Sequence, residues 1–388
     1  MQTITAKFAI PTPMFLGDAH QKSSSIRPPS VKGALRFWWR ALVWESTFAR
    51  AKGDCAQALK NLHADETRVF GSAVEDQKGG QGIFLLSVDN SLIDKNTFSK
   101  PQNGHQYLLG QGLWSPGKGG SLNRDPLGTG TFTLKVLFKP NSKIEDQRSL
   151  TQAILLWGLL GGLGSRARKG FGSVAIQSIE ADGMDLDNLK VPQNAAGLKS
   201  TLIQVIGECV AAEPPFTAFS KDTRIDISQT GRNALNLLND IGNEMQMHRS
   251  FGRNGEVNGK PAEQNFRDDH DLAQAAAAGS DVKTHPRRVA FGLPHNYFFS
   301  STKNKLDVEP IRNGRRGSPL FIHIHQFPDG KCCAIQTFLP ALFLPDGDKI
   351  AMKGRGRPQP ITPNIDWSVI TKYMDRFDKN TEYEQVIS

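Results

Sequence analysis

The stretch Ile26-Arg27-Pro28-Pro29-Ser30-Val31-Lys32-Gly33-Ala34-Leu35-Arg36-Phe37-Trp38-Trp39-Arg40-Ala41-Leu42 governs how the rest of the chain is read. Pro28-Pro29 closes a loop that starts at Phe15, and Ser30 is a good N-cap for a helix running to about Lys52. At about 100° per residue, Lys32, Arg36, Trp39 and Arg40 share one arc of that helix. Ala34, Phe37, Trp38, Ala41, Leu42, Trp44 and Phe48 take the other side. Residues 22–40 hold five cations (Lys22, Arg27, Lys32, Arg36, Arg40) and no acid. One face therefore packs, and the other presents guanidinium groups beside the Trp39 indole. Arginines donate well to phosphates, and a neighbouring ring can stack a base. A solvated cationic face on a core helix would give the same pattern. Glu45 lies toward the apolar side, where it needs a cationic partner or a nearby edge.

Outward from this helix, Thr3–Ile10 alternates as a first strand. Ile83–Val88 and Thr131–Phe138 read as the next two, Leu150–Leu160 as a second helix and Val174–Ile179 as a fourth strand. This strand–helix–strand–strand–helix–strand order fits a ferredoxin-like unit over 1–180, of α+β class. Gln102–Asp125 reads as a long polar loop. Residues 181–197 read as a linker, and 198–388 as a second domain. There, Leu202–Ile206 reads as a strand. Ala234, Leu237, Leu238, Ile241 and Met245 mark an amphipathic helix, and Leu320–Phe327 with Cys332–Leu339 reads as a hairpin around Pro328-Asp329-Gly330. Residues 249–280 read as a polar insertion with a short Leu272–Ala278 helix.

Between the second helix and the fourth strand lies Gly161-Gly162-Leu163-Gly164-Ser165-Arg166-Ala167-Arg168-Lys169-Gly170-Phe171-Gly172. Five glycines and three cations with no acid fit a loop whose backbone N–H groups and side chains both face an anion. It lacks the Gly-Lys-Ser/Thr end of a phosphate-binding loop and lies in the wrong order for a dinucleotide fingerprint. Two further basic clusters, Arg287-Arg288 and Arg312, Arg315, Arg316, precede apolar strands and fit RNA contact as well as ordinary surface charge.

The chain has 388 residues, enough for two domains at roughly 100–200 residues each. Its 47 Lys plus Arg against 38 Asp plus Glu give +9, compatible with a polyanionic partner. There is no apolar run long enough for a membrane span and no secretory leader, so a cytoplasmic protein is expected. Cys55, Cys209, Cys332 and Cys333 are too few and scattered for a disulfide framework, and free thiols are expected. His323 and His325 share a strand face with Phe321 and Phe327 and could line a binding surface. With Cys332 and Cys333 they match no common zinc spacing, so no metal or other cofactor is expected. His20, in the glycine-containing early loop, could act as a general acid or base for RNA cleavage, although a lone loop histidine is more often just solvated.

These segments together resemble the RAMP superfamily, in particular the subunit that caps one end of type III-B (Cmr) CRISPR assemblies. Phe15-Leu16-Gly17 with Ile26–Leu42 resembles that family's N-terminal signature, and Glu66 with Phe70-Gly71-Ser72 its next motif. Gly161–Gly172 resembles the glycine-rich loop, and Arg288–Pro294 with Arg315–Leu320 the C-terminal motifs. The resemblance implies two tandem ferredoxin-like domains and no catalytic residue. It also implies a place near the 3′ end of the CRISPR RNA, help in capturing target RNA, and other Cmr proteins (the RAMP backbone and the large subunit) as partners. The residues this assigns to RNA are Arg27, Lys32, Arg36, Trp39, Arg40, Gly161, Gly162, Gly164, Arg166, Arg168, Lys169, Phe171, Arg287, Arg288, Arg315 and Arg316. The alternatives are a metal-independent RNA endonuclease using His20 or His323, and a stand-alone RNA-binding protein.

Overall fold

The computed structural model describes residues 2–18, 22–23, 25–72, 80–94, 96, 98–110, 112–117, 119–185 and 189–387. Its first unit is β1 (Thr3–Ile10), α1 (Pro28–Arg50), β2 (Phe84–Ile93), β3 (Gly130–Phe138), α2 (Ile144–Leu160) and β4 (Ala175–Asp182). The sheet runs β2-β3-β1-β4 with antiparallel neighbours throughout. Alternation explains the pairing: Ile4, Ala6, Phe8 and Ile10 of β1 and Phe132, Leu134, Val136 and Phe138 of β3 all point into one core. α1 and α2 cover that face.

The second unit repeats the order: β5 (Arg224–Gly231), α3 (Ala234–Arg249), β6 (Leu320–Gln326), β7 (Cys332–Phe338), α4 (Ser368–Met374) and β8 (Glu384–Ile387). Its sheet is β6-β7-β5-β8, the same topology as the first. Both are ferredoxin-like. A third antiparallel sheet, formed by His295–Phe298, Lys305–Pro310, Ile350–Lys353 and Gln359–Ile361, is inserted into the second unit. The helix Arg267–Ala278 backs it through Ala273 and Ala277, against Leu306, Val308 and Met352.

Several local readings change. α1 starts at Pro28 and Arg27 takes the cap position, because two prolines fill the first helical positions, where no N–H is needed. Residues 195–206 form a helix, Ala195–Ile206, capped by the Asn194 side chain, so Leu202–Ile206 is not a strand. Gln102–Asp125 contains the helix Asn103–Leu109, closed by a capping box between Gln102 and His105. The hairpin and the helix at 234–249 stand where the sequence put them. Glu45 takes a backbone partner: its Oε2 accepts from the Ala211 N–H at 3.0 Å.

Candidate nucleic-acid interface

The cations of α1 divide between partners. Arg36 Nε and Arg40 Nη1 lie 3.3 and 3.5 Å from the two carboxylate oxygens of Glu66, on the helix Cys55–Phe70. Arg36 also donates to the Gly71 carbonyl and lies 5.4 Å from the Phe70 ring centre. Lys32 sits 5.5 Å over Phe84, and burial together with Arg36 lowers its pKa. Arg27 is exposed and donates to the Gly17 carbonyl. Trp39 is a correction. It is only 2% exposed, its indole N–H donates to Ser149 Oγ on α2 at 2.9 Å, and its ring packs edge-on against Phe70. Neither Trp39 nor Trp38 can stack a base from these positions, because α1 is buried on two sides, by α2 and by the helix Cys55–Phe70.

The glycine-rich loop is the second correction. Its backbone is spent on the protein. Ser165 donates to the Phe15 carbonyl, Gly172 to Pro13 and Leu163 to Gly172. At Gly164 (φ +87°) an added Cβ would lie 2.6 Å from the Phe15 oxygen, and at Gly172 (φ +64°) 2.1 Å from the Leu163 oxygen. These glycines are there because only glycine fits. Gly161 packs between Trp157 and Trp38, and Gly162 sits against Gly172. Phe171 is fully buried against Phe15 and so cannot meet RNA.

The loop then crosses to the second unit. Its Arg168 carbonyl accepts from Ile322 N–H, and Lys169 bridges Ile322 in parallel fashion along the edge strand β6. Arg168 lies 4.5 Å from the Phe321 ring centre and 5.4 Å from that of Phe37, and it donates to the Ser318 carbonyl. His323 Nδ1 bonds the Gly161 carbonyl at 2.7 Å, Ile324 N–H donates to Ser173 Oγ, and Gln177 donates to the Gln326 carbonyl. The edge of one sheet is thereby covered by the loop of the other unit. His323 and His325 are buried here and line no open surface. Burial pushes the pKa of His323 down to about 4. Arg168 is pushed down to about 10, first by burial and then by Arg316.

Only the outer end of the loop is open. Arg166, with φ +66° and an exposed side chain, opens onto a groove of about 1280 Å³. The groove is also lined by Arg249, Phe251, Arg253, His270, Arg288, His295, Tyr297, Phe298 and Arg315. Among the described residues that line it there is no Asp or Glu. Five arginines come from four separate segments, and aromatic rings share the lining with them. Phe251 stacks on His270 (3.8 Å, 9°), Arg249 sits 4.5 Å from the centre of Phe291, Arg288 sits 5.0 Å from that of Tyr297, and Phe298 is 60% exposed.

Arg249 Nε is buried without a hydrogen-bond acceptor among the described residues, whereas Arg288 Nε lies 3.7 Å from Asp269 Oδ2, an ion pair longer than a hydrogen bond. Unsatisfied buried donors cost free energy that an anionic ligand would offset. Arg249 Nη2 lies 3.4 Å from His295 Nε2. Burial, with Arg249, Arg288 and Lys169 nearby, holds His295 well below the usual imidazole range. Lys169 lies behind the groove with its Nζ 3.7 Å from Met245 Sδ, and burial and the surrounding arginines hold its pKa well below the lysine range. The whole cluster favours a negative guest.

Of the residues assigned from sequence, Arg166, Arg288 and Arg315 line this groove. Arg287 is not in its lining; the backbone N–H groups of Arg287 and Arg288 donate to the buried carboxylate of Asp269 at 2.9 and 2.8 Å, and their Nε atoms lie 3.8 and 3.7 Å from it. Arg316 turns away, donating to Thr217 Oγ1 and the Leu342 carbonyl. Arg249, Phe251, Arg253, His295 and Phe298 were missed. A signal existed: Arg249-Ser250-Phe251-Gly252-Arg253-Asn254-Gly255 has the same cation, ring and glycine mixture as the loop at 161–172, with no acid. His20 lies outside the described residues. Among the described residues no group of three or more His, Cys, Asp or Glu could hold a metal ion, and no helix is long and apolar enough to cross a membrane.

Residues 7–175 match the family model described as the RAMP superfamily. A curated relative, CRISPR system Cmr subunit Cmr1-1 of Pyrococcus furiosus, is 29% identical over 232 residues, spanning 56% of this chain and 63% of the relative. The match thus covers less than two thirds of the relative's length. Cmr1 from Pyrococcus furiosus in its apo form superposes over 100% of this chain and 99% of its own, with a TM-score of 0.56 at 18% identity. A chain of a type III-B Cmr-beta complex bound to cognate target RNA covers 97% of this chain and 99% of its own, with a TM-score of 0.53 at 12% identity. At such identities these structures establish the fold. The superfamily match runs from within β1 to the start of β4, less than half of the chain, and the chain as a whole shares the fold of these Cmr1 and Cmr-beta structures.

Proposed function

We propose that this chain is a non-catalytic, RNA-binding subunit of a type III-B CRISPR effector, acting in the cytoplasm near the 3′ end of the CRISPR RNA and helping to hold complementary target RNA. The observation that carries this reading is the groove lined by Arg166, Arg249, Arg253, Arg288 and Arg315 together with Phe251, Tyr297 and Phe298, and by no Asp or Glu among the described residues. Cations follow a phosphate backbone, and rings between them offer stacking worth about 1–3 kcal/mol per base to a single strand. The curated relative's name and the RNA-bound Cmr structure supply the biological setting. A nuclease reading gains nothing from His323, which is buried and bonded to the Gly161 carbonyl.

The test is fluorescence anisotropy of a labelled single-stranded RNA with purified protein, alongside the same RNA run on a denaturing gel. Phe298→Ala is expected to weaken binding by about 1–3 kcal/mol, the value of one stacked base, and to leave the melting temperature unchanged. The gel is expected to show intact RNA. Tight binding indifferent to Phe298, or RNA cleaved without added metal, would count against the proposal.

A further inference from the structure

A second groove, of about 520 Å³, lies on the other side of Arg315 and has a different character. Its floor is apolar, built from Phe216, Leu342 and Phe343 on one wall and from Leu59 and Leu62 of the helix Cys55–Phe70 on the other. Leu59 is 39% and Leu342 36% exposed, although both face a concave surface. The apolar area that they still expose would gain from being covered. Arg40 and Arg316 stand at its rim, and the Nε of each is buried with no hydrogen-bond acceptor among the described residues.

We propose that this groove docks a segment of a neighbouring protein subunit in which a carboxylate side chain stands beside leucine-like or aromatic residues. The carboxylate would accept from Arg316, which pairs with no Asp or Glu within 4 Å among the described residues, and the apolar side chains would fill the space between Leu59 and Leu342. RNA fits less well, for two reasons on the surface itself. Glu66 lines the groove and already takes up the charge of Arg36 and Arg40, whereas the groove at Arg249 contains no acid. The exposed apolar side chains here are Leu59 and Leu342, which give a base no ring to stack on, and the Phe343 ring is only 4% exposed. The inference rests on the proposal that the chain works inside a multi-subunit assembly. Arg315 lines both grooves, so the docked protein would lie at one mouth of the RNA track.

The experiment is site-specific photocrosslinking in the assembled complex, purified through an affinity tag on this chain. The photoreactive residue p-benzoylphenylalanine replaces Leu59 in one sample and Phe298 in another, and the attached species is identified by mass spectrometry. The Leu59 position is expected to capture one defined protein segment containing Asp or Glu next to Leu, Ile, Phe or Trp. The Phe298 position is expected to capture RNA. Capture of RNA at Leu59, of a segment without acids, or of nothing would overturn the docking proposal while leaving the RNA reading to the Phe298 sample. In parallel, Leu59→Glu is expected to reduce recovery of the captured subunit about tenfold, as loss of a central apolar anchor does. RNA affinity and melting temperature should remain unchanged. If Leu59→Glu melts early, Leu342→Glu on the opposite wall replaces it, and full recovery of the subunit with either folded variant would refute the proposal.

Discussion

The loop at 161–172 and the region at 249–299 contain the same materials, glycines, arginines and aromatic rings, and the fold puts them to opposite uses. In the loop, Arg168 is held between Phe37 and Phe321, Gly164 is close-packed against the Phe15 backbone and Gly170 against Leu238 and Ile322, so the segment joins two ferredoxin-like units. In the later region, Arg249 and Arg253 face an open groove with Phe251 and Phe298 between them. Composition gives the affinity for anions. Whether a segment can act on it depends on how many of its donors the protein has already used. In the loop most are used. In the groove the Arg249 Nε remains without an acceptor, and the Arg288 Nε has only a long ion pair to Asp269.

The sharpest way to break this comparison is Arg168→Ala. It removes a hydrogen bond from a charged donor, worth about 1.5–3 kcal/mol, together with cation–π contacts of about 0.5–2 kcal/mol. Release of the burial cost of the charge offsets part of this, so a loss of about 2–3 kcal/mol is expected in a denaturant titration. RNA binding by the protein that remains folded should be little changed. If Arg168→Ala is fully stable and binds RNA poorly, the loop is an RNA site after all and the comparison is wrong.

Acid sensitivity gives a smaller, independent test of the junction. The folded-state pKa of His323 is lowered to about 4 by burial, against about 6.5 unfolded. Above about pH 6.5 both states are neutral and the group adds no pH dependence. Below it the unfolded chain takes up a proton that the folded chain refuses, so stability falls and levels off near the folded value. Between pH 6.5 and 5 this amounts to about 1.6 kcal/mol. Buried His325 acts in the same direction. His323→Gln should flatten the stability–pH curve over this window. An unchanged slope would show that the imidazole is not held neutral at the junction.

Much of the fold was legible because strand alternation and the position of two helices survive in local sequence. β1, β3, α3 and the β6–β7 hairpin needed only period and turn chemistry. Leu202–Ile206 was misread because five residues of mostly apolar sequence fit either period, and the deciding Asn194 cap lies eight residues earlier. Trp39 was placed on the wrong side because a helical wheel assumes one buried face. The helix Cys55–Phe70, whose mixed Gln, Lys, Asp and Arg content hides its packing face, gives α1 a second one. The groove was the least legible feature. Arg166, Arg249, Arg253, Arg288 and Arg315 are up to about 150 positions apart, and no short-range pattern expresses their meeting.

The central claim is that RNA follows the groove lined by Arg249 and Arg253. The most direct test is the salt dependence of single-stranded RNA binding for the native protein and for the Arg249→Ala, Arg253→Ala double variant. Each phosphate contact contributes about −0.7 to the slope of log affinity against log salt. The double variant should therefore bind about tenfold or more weakly at low salt, with a slope shallower by about 1.4. The same slope and affinity in both proteins would contradict the account.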